Sequence, residues 1–433
     1  MNFKKFKIYL DILPKYLFAI SLCILAFGYG VATNRYKLFP YHIMEQGTTQ
    51  LKAFFKILKE PYLWPIRYNE TGVKIYNREK IMPGVTLLTS FWSETGWTAG
   101  IRLIDLEGKI LHHWEVKPKE IWPQSPYTDH TKNSKNVNNN FVHGTYLYPN
   151  GDIIFNISFL GPVRMNSKGE VLWKIPYRTH HSVFRDDDGN FWVAGIKWVE
   201  PGDDRIKLFP GLSAPFTEET ILKISPDGTI LKEISVLESL YKGNYQHLLY
   251  QYNVRSGDLL HLNDVEVLNR KLAKDFPLFD YGDIVISSRH LNLIAVLDQS
   301  GKIKWLSMGI FTNQHDPDFE QNGWITVFDN RTELGRTMIR QINPASNEVK
   351  TLYPTNLDQE FYTKIGGKHQ KLNNGNRLIT ESCAGRVFEI SPEGETVWEW
   401  IQQPFDEKDV PEVLEGTRYS FEEKDIAKWG NED

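Results

Sequence analysis

"HDPDFEQNGWITV", residues 315–327, opens on a histidine, reaches a glycine eight positions later and runs from there into an apolar strand. Two other stretches share the layout: HGTYLYPNGDIIF at 143–155 and HSVFRDDDGNFWV at 181–193. His261, in HLNDVEVL, and His369, in HQKLNNGNRLIT, keep it with a longer and a shorter spacing. A second signal runs through the same units, a turn of the form Asp/Asn/Ser-x-x-Gly between two apolar strands. It occurs at Asp105 to Gly108, Asn166 to Gly169, Ser225 to Gly228, Asp298 to Gly301 and Ser391 to Gly394, with a looser copy at Asn343 to Asn347. Each is a hairpin signal, and the strand that leaves it often carries an aromatic, as in ILHHW, VLWKI, IKWLS and TVWEW. Six such units predict an all-β chain folded as a six-bladed β-propeller; a sandwich would not need the period. The first unit has no histidine strand of its own, so a C-terminal strand near Thr417 to Phe421 is expected to close the ring.

The chain has 433 residues, 41% of them hydrophobic and 13% aromatic, enough for a large core. A net charge of −4 gives no whole-chain electrostatic case for nucleic acid. The basic cluster Lys4, Lys5 and Lys7 has another role. It precedes Tyr16 to Asn34, 19 residues without a charge, which predicts one membrane helix near residues 16–33. Lys4, Lys5, Lys7 and Lys15 stand before this run, and only Arg35 and Lys37 follow closely. The positive-inside bias therefore puts the N-terminus in the cytoplasm and the propeller on the periplasmic side of the inner membrane. A cleaved signal peptide is the alternative, since Gly30-Val31-Ala32 offers small residues at a cleavage-like spacing. The expected division is a cytoplasmic stub and anchor at 1–35, a linker at 36–81 and the propeller at 82–433. Within the linker, Leu51, Phe54, Phe55 and Leu58 mark one face of a short helix. Cys23 and Cys383 are the only cysteines and allow no disulfide framework.

In a propeller the first strand of each blade lines the central channel. Histidines opening five successive first strands (His143, His181, His261, His315 and His369) therefore predict imidazoles around one channel mouth. Second strands return to the same face, which brings Arg289, Lys197 and the run Asp329-Asn330-Arg331 there. The long loops at 117–142, with its Asn-rich run, and 237–260 open on this face as a rim. Imidazoles with Arg289 and Asn263 surround a point with donors and adaptable positive charge, which suits a tetrahedral oxyanion such as a sulfate ester or phosphate. A metal held by His143, His181, His261 and His315 is the competing possibility, with an arginine in the pocket against it; strand-capping imidazoles are the plainest one. His112, His113, His130, His180, His247 and His290 fall outside the register and are assigned structural or surface roles.

His261-Leu262-Asn263, Ser287-Ser288-Arg289, Gln314-His315-Asp316 and Phe328-Asp329-Asn330, in this order among the hairpins, resemble the bacterial arylsulfotransferase family over roughly residues 82 to 401. The resemblance implies a six-bladed propeller and a cofactor-independent, two-step transfer of a sulfuryl group from an aryl sulfate to a phenol. It implies His315 as the nucleophile that becomes sulfohistidine and His261, Asn263 and Arg289 as sulfate-binding positions; with His315, His261 and Arg289 are taken as the catalytic set and Asn263 as substrate-binding. His180-His181 resembles a further active-site histidine, and the register favours His181; His143 and His369 join it as substrate-binding candidates, with no metal. Sulfuryl transfer passes through a planar group with charge spread over three oxygens, so cations and donors around it matter more than covalent help. Asp264, beside the site, is tolerable only if its charge points away from the anion. The expected partners are small aryl sulfates and phenols, and the membrane through the N-terminal helix. The alternative function is a non-catalytic propeller that binds or assembles with a membrane protein.

Overall fold

The Asp/Asn/Ser-x-x-Gly turns form as their chemistry dictates. Asp105 Oδ1 accepts from the backbone N–H groups of Glu107 (3.0 Å) and Lys109 (2.8 Å), and Gly108 closes the turn at φ +88°. Asn166 and Asp298 make the same pair of bonds in their hairpins. A short polar side chain thus supplies the acceptor, and glycine the left-handed residue that ordinary side chains avoid.

The computed structural model describes residues 3–36, 62–127, 141–251 and 255–429. These hairpins build six antiparallel sheets, the blades of a β-propeller. From the channel outward, blade two runs Val142–Leu147, Ile153–Ile157, Gly161–Met165 and Val171–Lys174. Blade three runs Thr179–Arg185, Phe191–Val199, Phe216–Ile224 and Ile230–Ser235; blade four runs Leu262–Val267, Ile284–Ser288, Leu293–Leu297 and Ile303–Met308. Blade five runs His315–Glu320, Trp324–Asp329, Met338–Ile342 and Val349–Tyr353. Blade six runs Lys368–Lys371, Arg377–Glu381, Arg386–Ile390 and Thr396–Ile401, and Gly72–Tyr76, from the stretch assigned to the linker, adds a fifth, outermost strand.

Blade one is closed from the other end of the chain, where the sequence pattern left a strand missing. Glu415–Tyr419 pairs antiparallel with Val85–Trp92 and becomes the inner strand of a sheet continued by Thr98–Ile104 and Ile110–Glu115. Two ion pairs tie this strand to blade six: Lys368 Nζ to Glu415 Oε1 at 2.6 Å, and Arg418 Nη1 to Glu389 Oε2 at 3.1 Å. The strand covers what would otherwise be the unpaired inner edge of Val85–Trp92.

The core lies between blades rather than in the channel. Leu88 and Val387 pack between blades one and six, Ile154 and Phe191 between two and three, Val285 and Ile325 between four and five, and Phe328 and Phe388 between five and six. Trp114 and Trp398, two of the aromatics on exit strands, are fully buried. The channel is thereby left to polar side chains.

Residues up to Leu63 form a separate unit, containing a helix at Phe3–Tyr36. Its segment Leu13–Thr33, 21 residues with a mean hydropathy of 1.8, is long and apolar enough to cross a membrane, and its side chains are almost all exposed. The short helix expected at Leu51 to Leu58, the Asn-rich run at 137–140 and His130 lie outside the described residues.

Candidate active site

Four inner strands carry a β-bulge beside their histidine. The strand register slips between His143 and Thr145, His180 and Val183, Leu262 and Asp264, and His315 and Asp318. Each slip comes with a residue of positive φ: Gly144 (+76°), His181 (+56°), His261 (+50°) and Asp316 (+52°). Three of these are not glycine, and each such residue stores about 1–3 kcal/mol of strain that surrounding structure must hold. A bulge re-aims the side chains next to it. Here the result is a group of imidazoles packed ring to ring.

His181 stands at the centre of that group. Its ring centroid lies 4.4 Å from that of His143, 5.3 Å from His261 and 6.1 Å from His315. His180 joins at 4.9 Å from His181, and His290 lies 4.9 Å from His261. The sequence pattern assigns His180 and His290 structural or surface roles, and the structure brings them to the edge of the cluster instead. The His-x7-Gly spacing could not show them, because His180 borders a bulge and His290 lies two residues past a strand end.

His369 is not brought into the group. Its strand, Lys368–Lys371, pairs with Arg377–Glu381 without a register slip, so nothing re-aims the ring. The imidazole is fully buried, with Nδ1 3.1 Å from Asp318 Oδ2 and 3.1 Å from Arg377 Nη1. His369 thus stands apart from the four imidazoles expected with it around the channel mouth.

His315 is 4% exposed, and its Nδ1 lies between two oxygens, the backbone carbonyl of Asn313 at 3.0 Å and Asn330 Oδ1 at 2.8 Å. No described group takes its Nε2. Burial, above all, lowers its pKa to about 3, the Asn330 bond working against this and the Arg289 charge with it. His143 is lowered to about 3 and His181 well below the usual imidazole range, both first by burial and then by neighbouring imidazoles. The three are therefore neutral at pH 7.

His261 has a different partner. Its Nδ1 lies 2.6 Å from Asp258 Oδ2, and its backbone N–H donates to Asp258 Oδ1 at 3.1 Å. Burial works to raise the Asp258 carboxyl, but the His261 bond and nearby imidazoles outweigh it and hold it below the usual range. Arg289 follows the second strand of blade four, its N–H donating to the carbonyl of His261 at 3.1 Å. Its Nε is buried with no partner among the described residues, and burial lowers its pKa. Asn263 donates from Nδ2 to the Gln314 carbonyl at 2.8 Å, and its Oδ1 has no partner among the described residues. Ser287 Oγ also donates to that carbonyl at 3.1 Å, and the wholly buried Gln314 side chain is held with its Nε2 3.0–3.1 Å from Ser287 Oγ, Ser288 O and Leu293 O. Lys197, expected at this face, pairs with Glu233 at the outer strand of its blade.

A cavity of about 30 Å³ opens beside the rings, lined by His143, His181, Asn263 and His315 together with Asp264, Asp316, Lys368 and Glu415. It has room for about one water. His261 and Arg289 do not line it. Burial raises Asp264 well above the usual carboxylate range, with Asp316 adding to the effect, and Asp316 is itself raised to about 7 by burial and by Asp318. A protonated Asp264 carries no charge to repel an anion. The arginine and His261 thus lie apart from the cavity that holds these carboxyl groups.

Two groups have ligand atoms close enough for a metal ion, Asp258, His261 and His290 at the mouth and Asp316, Asp318 and His369 deeper in, within 4.8 Å in each case. The Arg289 charge acts on Asp258 and His290 of the first, and Arg377 Nη1 already contacts His369 Nδ1 in the second. A fixed cation beside each donor set disfavours a divalent ion there.

No curated protein matches the chain. Among solved structures, a protein of unknown function from Bacteroides caccae is 16% identical, with 74% of this chain and 94% of that one covered at a TM-score of 0.47. Virginiamycin B lyase from Staphylococcus aureus is 14% identical over 61% of this chain and 71% of that one, at 0.35. At these TM-scores neither likeness bears on activity. The family model described as Arylsulfotransferase (ASST) matches residues 146–403, a span that holds His181, His261, Asn263, Arg289 and His315. That match covers more than half of the chain, and the protein belongs to the arylsulfotransferase family as an arylsulfotransferase-like enzyme.

Proposed function

We propose that this propeller moves a sulfuryl group from an aryl sulfate to a phenolic acceptor through a sulfohistidine on His315, without a cofactor. The observation that carries the proposal is the setting of His315: a buried, neutral imidazole whose Nδ1 faces two oxygens and whose Nε2 is left for chemistry. A nucleophilic imidazole needs one unprotonated nitrogen and a second one held in place. Nε2 attacks sulfur, and the aryl oxygen leaves with the bonding pair. The acceptor oxygen then attacks sulfur on the adduct, and the pair returns to Nε2.

The other residues follow from charge. Arg289, without a carboxylate partner among the described residues, offers its charge to the sulfuryl oxygens, and His181, His143 and Asn263 complete the polar wall. His261, oriented by Asp258, is the acid that protonates the leaving phenolate and the base that takes the acceptor's proton. The sulfuryl group occupies the space between His315, His261 and Arg289, and the protonated Asp264 in the adjoining cavity adds no charge against it. The helix at Leu13–Thr33 anchors the protein in the inner membrane with the propeller on the periplasmic side.

Two experiments test this. Initial rates with an aryl sulfate and a phenol varied together should give parallel double-reciprocal lines, as expected for a covalent intermediate. Intersecting lines, or no transfer with any aryl sulfate tried, would reject the mechanism. A reporter joined to the C-terminus should be active outside the cytoplasm; activity only inside it would reject the topology.

A further inference from the structure

The side chain that holds His315 is an amide, whereas two other imidazoles of the cluster have carboxylates. His261 Nδ1 faces Asp258 Oδ2 at 2.6 Å and His180 Nε2 faces Glu219 Oε2 at 3.1 Å. Asn330, wholly buried at the end of the second strand of blade five, takes that place for His315. Its own orientation is settled by what surrounds it. Nδ2 donates to the backbone carbonyls of Thr363 at 3.0 Å and Gly366 at 2.8 Å, and neither can donate in return. Oδ1 must therefore be the atom facing His315 Nδ1, and the second group there, Asn313 O, is also an acceptor only. Two acceptors around Nδ1 require a hydrogen on it. The lone pair of the neutral ring is then confined to Nε2.

We infer that Asn330 is a positioning residue with two effects, fixing the Nδ1–H tautomer of His315 and keeping that hydrogen in place after the ring is sulfonated. The second effect rests on the function proposed above. When Nε2 forms its bond to sulfur and the sulfur–oxygen bond to the aryl group breaks, the phenolate leaves with the electron pair. The ring, with Nδ1–H retained, becomes an N-sulfo imidazolium. Its positive charge makes Nε2 a good leaving group when the acceptor oxygen attacks sulfur. A carboxylate in place of Asn330 would draw off the Nδ1 proton and leave a neutral sulfoimidazole, which releases its sulfuryl group slowly. An amide cannot accept a proton at neutral pH. The nucleophile thus has an orienting partner that does not quench its adduct, while the proton-transferring His261 has a carboxylate.

The tautomer is read directly from ring ¹⁵N shifts and Nδ1–H couplings of His315 in the full-length protein, without substrate. Wild type should show a neutral ring protonated on Nδ1, and N330A a mixture or the Nε2–H form. A wild-type ring protonated on Nε2 overturns the inference whatever the turnover. For the second effect, quenched-flow measurements with an aryl sulfate compare wild type and Asn330→Asp. The variant should still release one phenol rapidly but pass the sulfuryl group to a phenol about 100-fold more slowly, accumulating the adduct. Unchanged transfer from the adduct in that variant overturns this part. If wild type forms no adduct while its ring is protonated on Nδ1, the function proposed above fails together with the second effect, and the tautomer assignment stands. The wild-type spectrum decides the first part even if both variants misfold.

Discussion

Gly144→Ala should damage the site through the backbone alone. Gly144 is the bulge residue of blade two, at φ +76°, and a Cβ built there would lie 1.8 Å from the carbonyl oxygen of His181 and 2.7 Å from the backbone carbon of Ser182. Real Cβ contacts begin at about 3.0 Å, so the His143 and His181 strands must separate by more than an ångström. The conformation itself costs about 1 kcal/mol for alanine, and forcing two packed strands apart adds roughly 1–3 kcal/mol. A displacement of about 1 Å in positioning groups lowers turnover by ~100-fold. Gly169→Ala is the control, because Gly169 has φ +84° but a Cβ added to it would meet nothing within 4 Å. Chemical denaturation and kcat/KM with an aryl sulfate measure both effects. The control should lose about 1 kcal/mol and keep its activity, whereas Gly144→Ala should lose clearly more stability and most of its turnover. Equal behaviour of the two variants would refute the claim that the bulge aims the histidines.

Other expectations follow from the channel. The folded His315 pKa of about 3 lies below its ordinary 6.5, so its contribution to stability is complete above that value and is lost as pH falls. The slope is at most about 1.4 kcal/mol per pH unit for one proton, and His315→Gln should flatten it in denaturation series. Asp264, raised in the fold, has the opposite sense: its contribution is lost as pH rises through the folded value, so Asp264→Asn should gain on wild type as pH rises above the ordinary carboxylate range of about 4. His369→Gln should cost stability by removing the buried imidazole between Asp318 and Arg377, although Arg377 keeps its pair with Glu320, and should keep wild-type KM for an aryl sulfate; a large rise in KM would return His369 to the site. Arg418→Met leaves Glu389 buried and uncompensated, and should destabilise the closed ring by about 3–5 kcal/mol in equilibrium unfolding; a loss below about 1 kcal/mol would show that the closing strand does not depend on this pair.

The hairpin glycines and the histidine strands were legible because they obey local rules: an Asp-x-x-Gly turn carries its own hydrogen bonds wherever it stands. Closure was legible from a deficit, one unit lacking an inner strand. Side-chain direction was not, since it depends on where each strand slips register against its partner. His143, His181, His261 and His315 sit at slips and His369 does not, a difference that spacing cannot report. The partners of the imidazoles were hidden for a related reason. Asp258 lies three residues before His261 in a turn, Asn330 comes from the far end of a neighbouring strand, and Glu219 reaches His180 from the third strand of the blade. Pairing of that kind is decided by the folded register.

The central claim is that His315 Nε2 becomes covalently sulfonated. The most direct measurement is to mix the protein with a chromogenic aryl sulfate and no acceptor, follow phenol release, and map the modified residue by mass spectrometry of a digest kept away from acid. The account predicts a burst approaching one phenol per chain and a sulfuryl group on His315, both absent from His315→Ala. A burst with the adduct on another histidine would contradict the assignment, and the absence of any burst or adduct would contradict the mechanism.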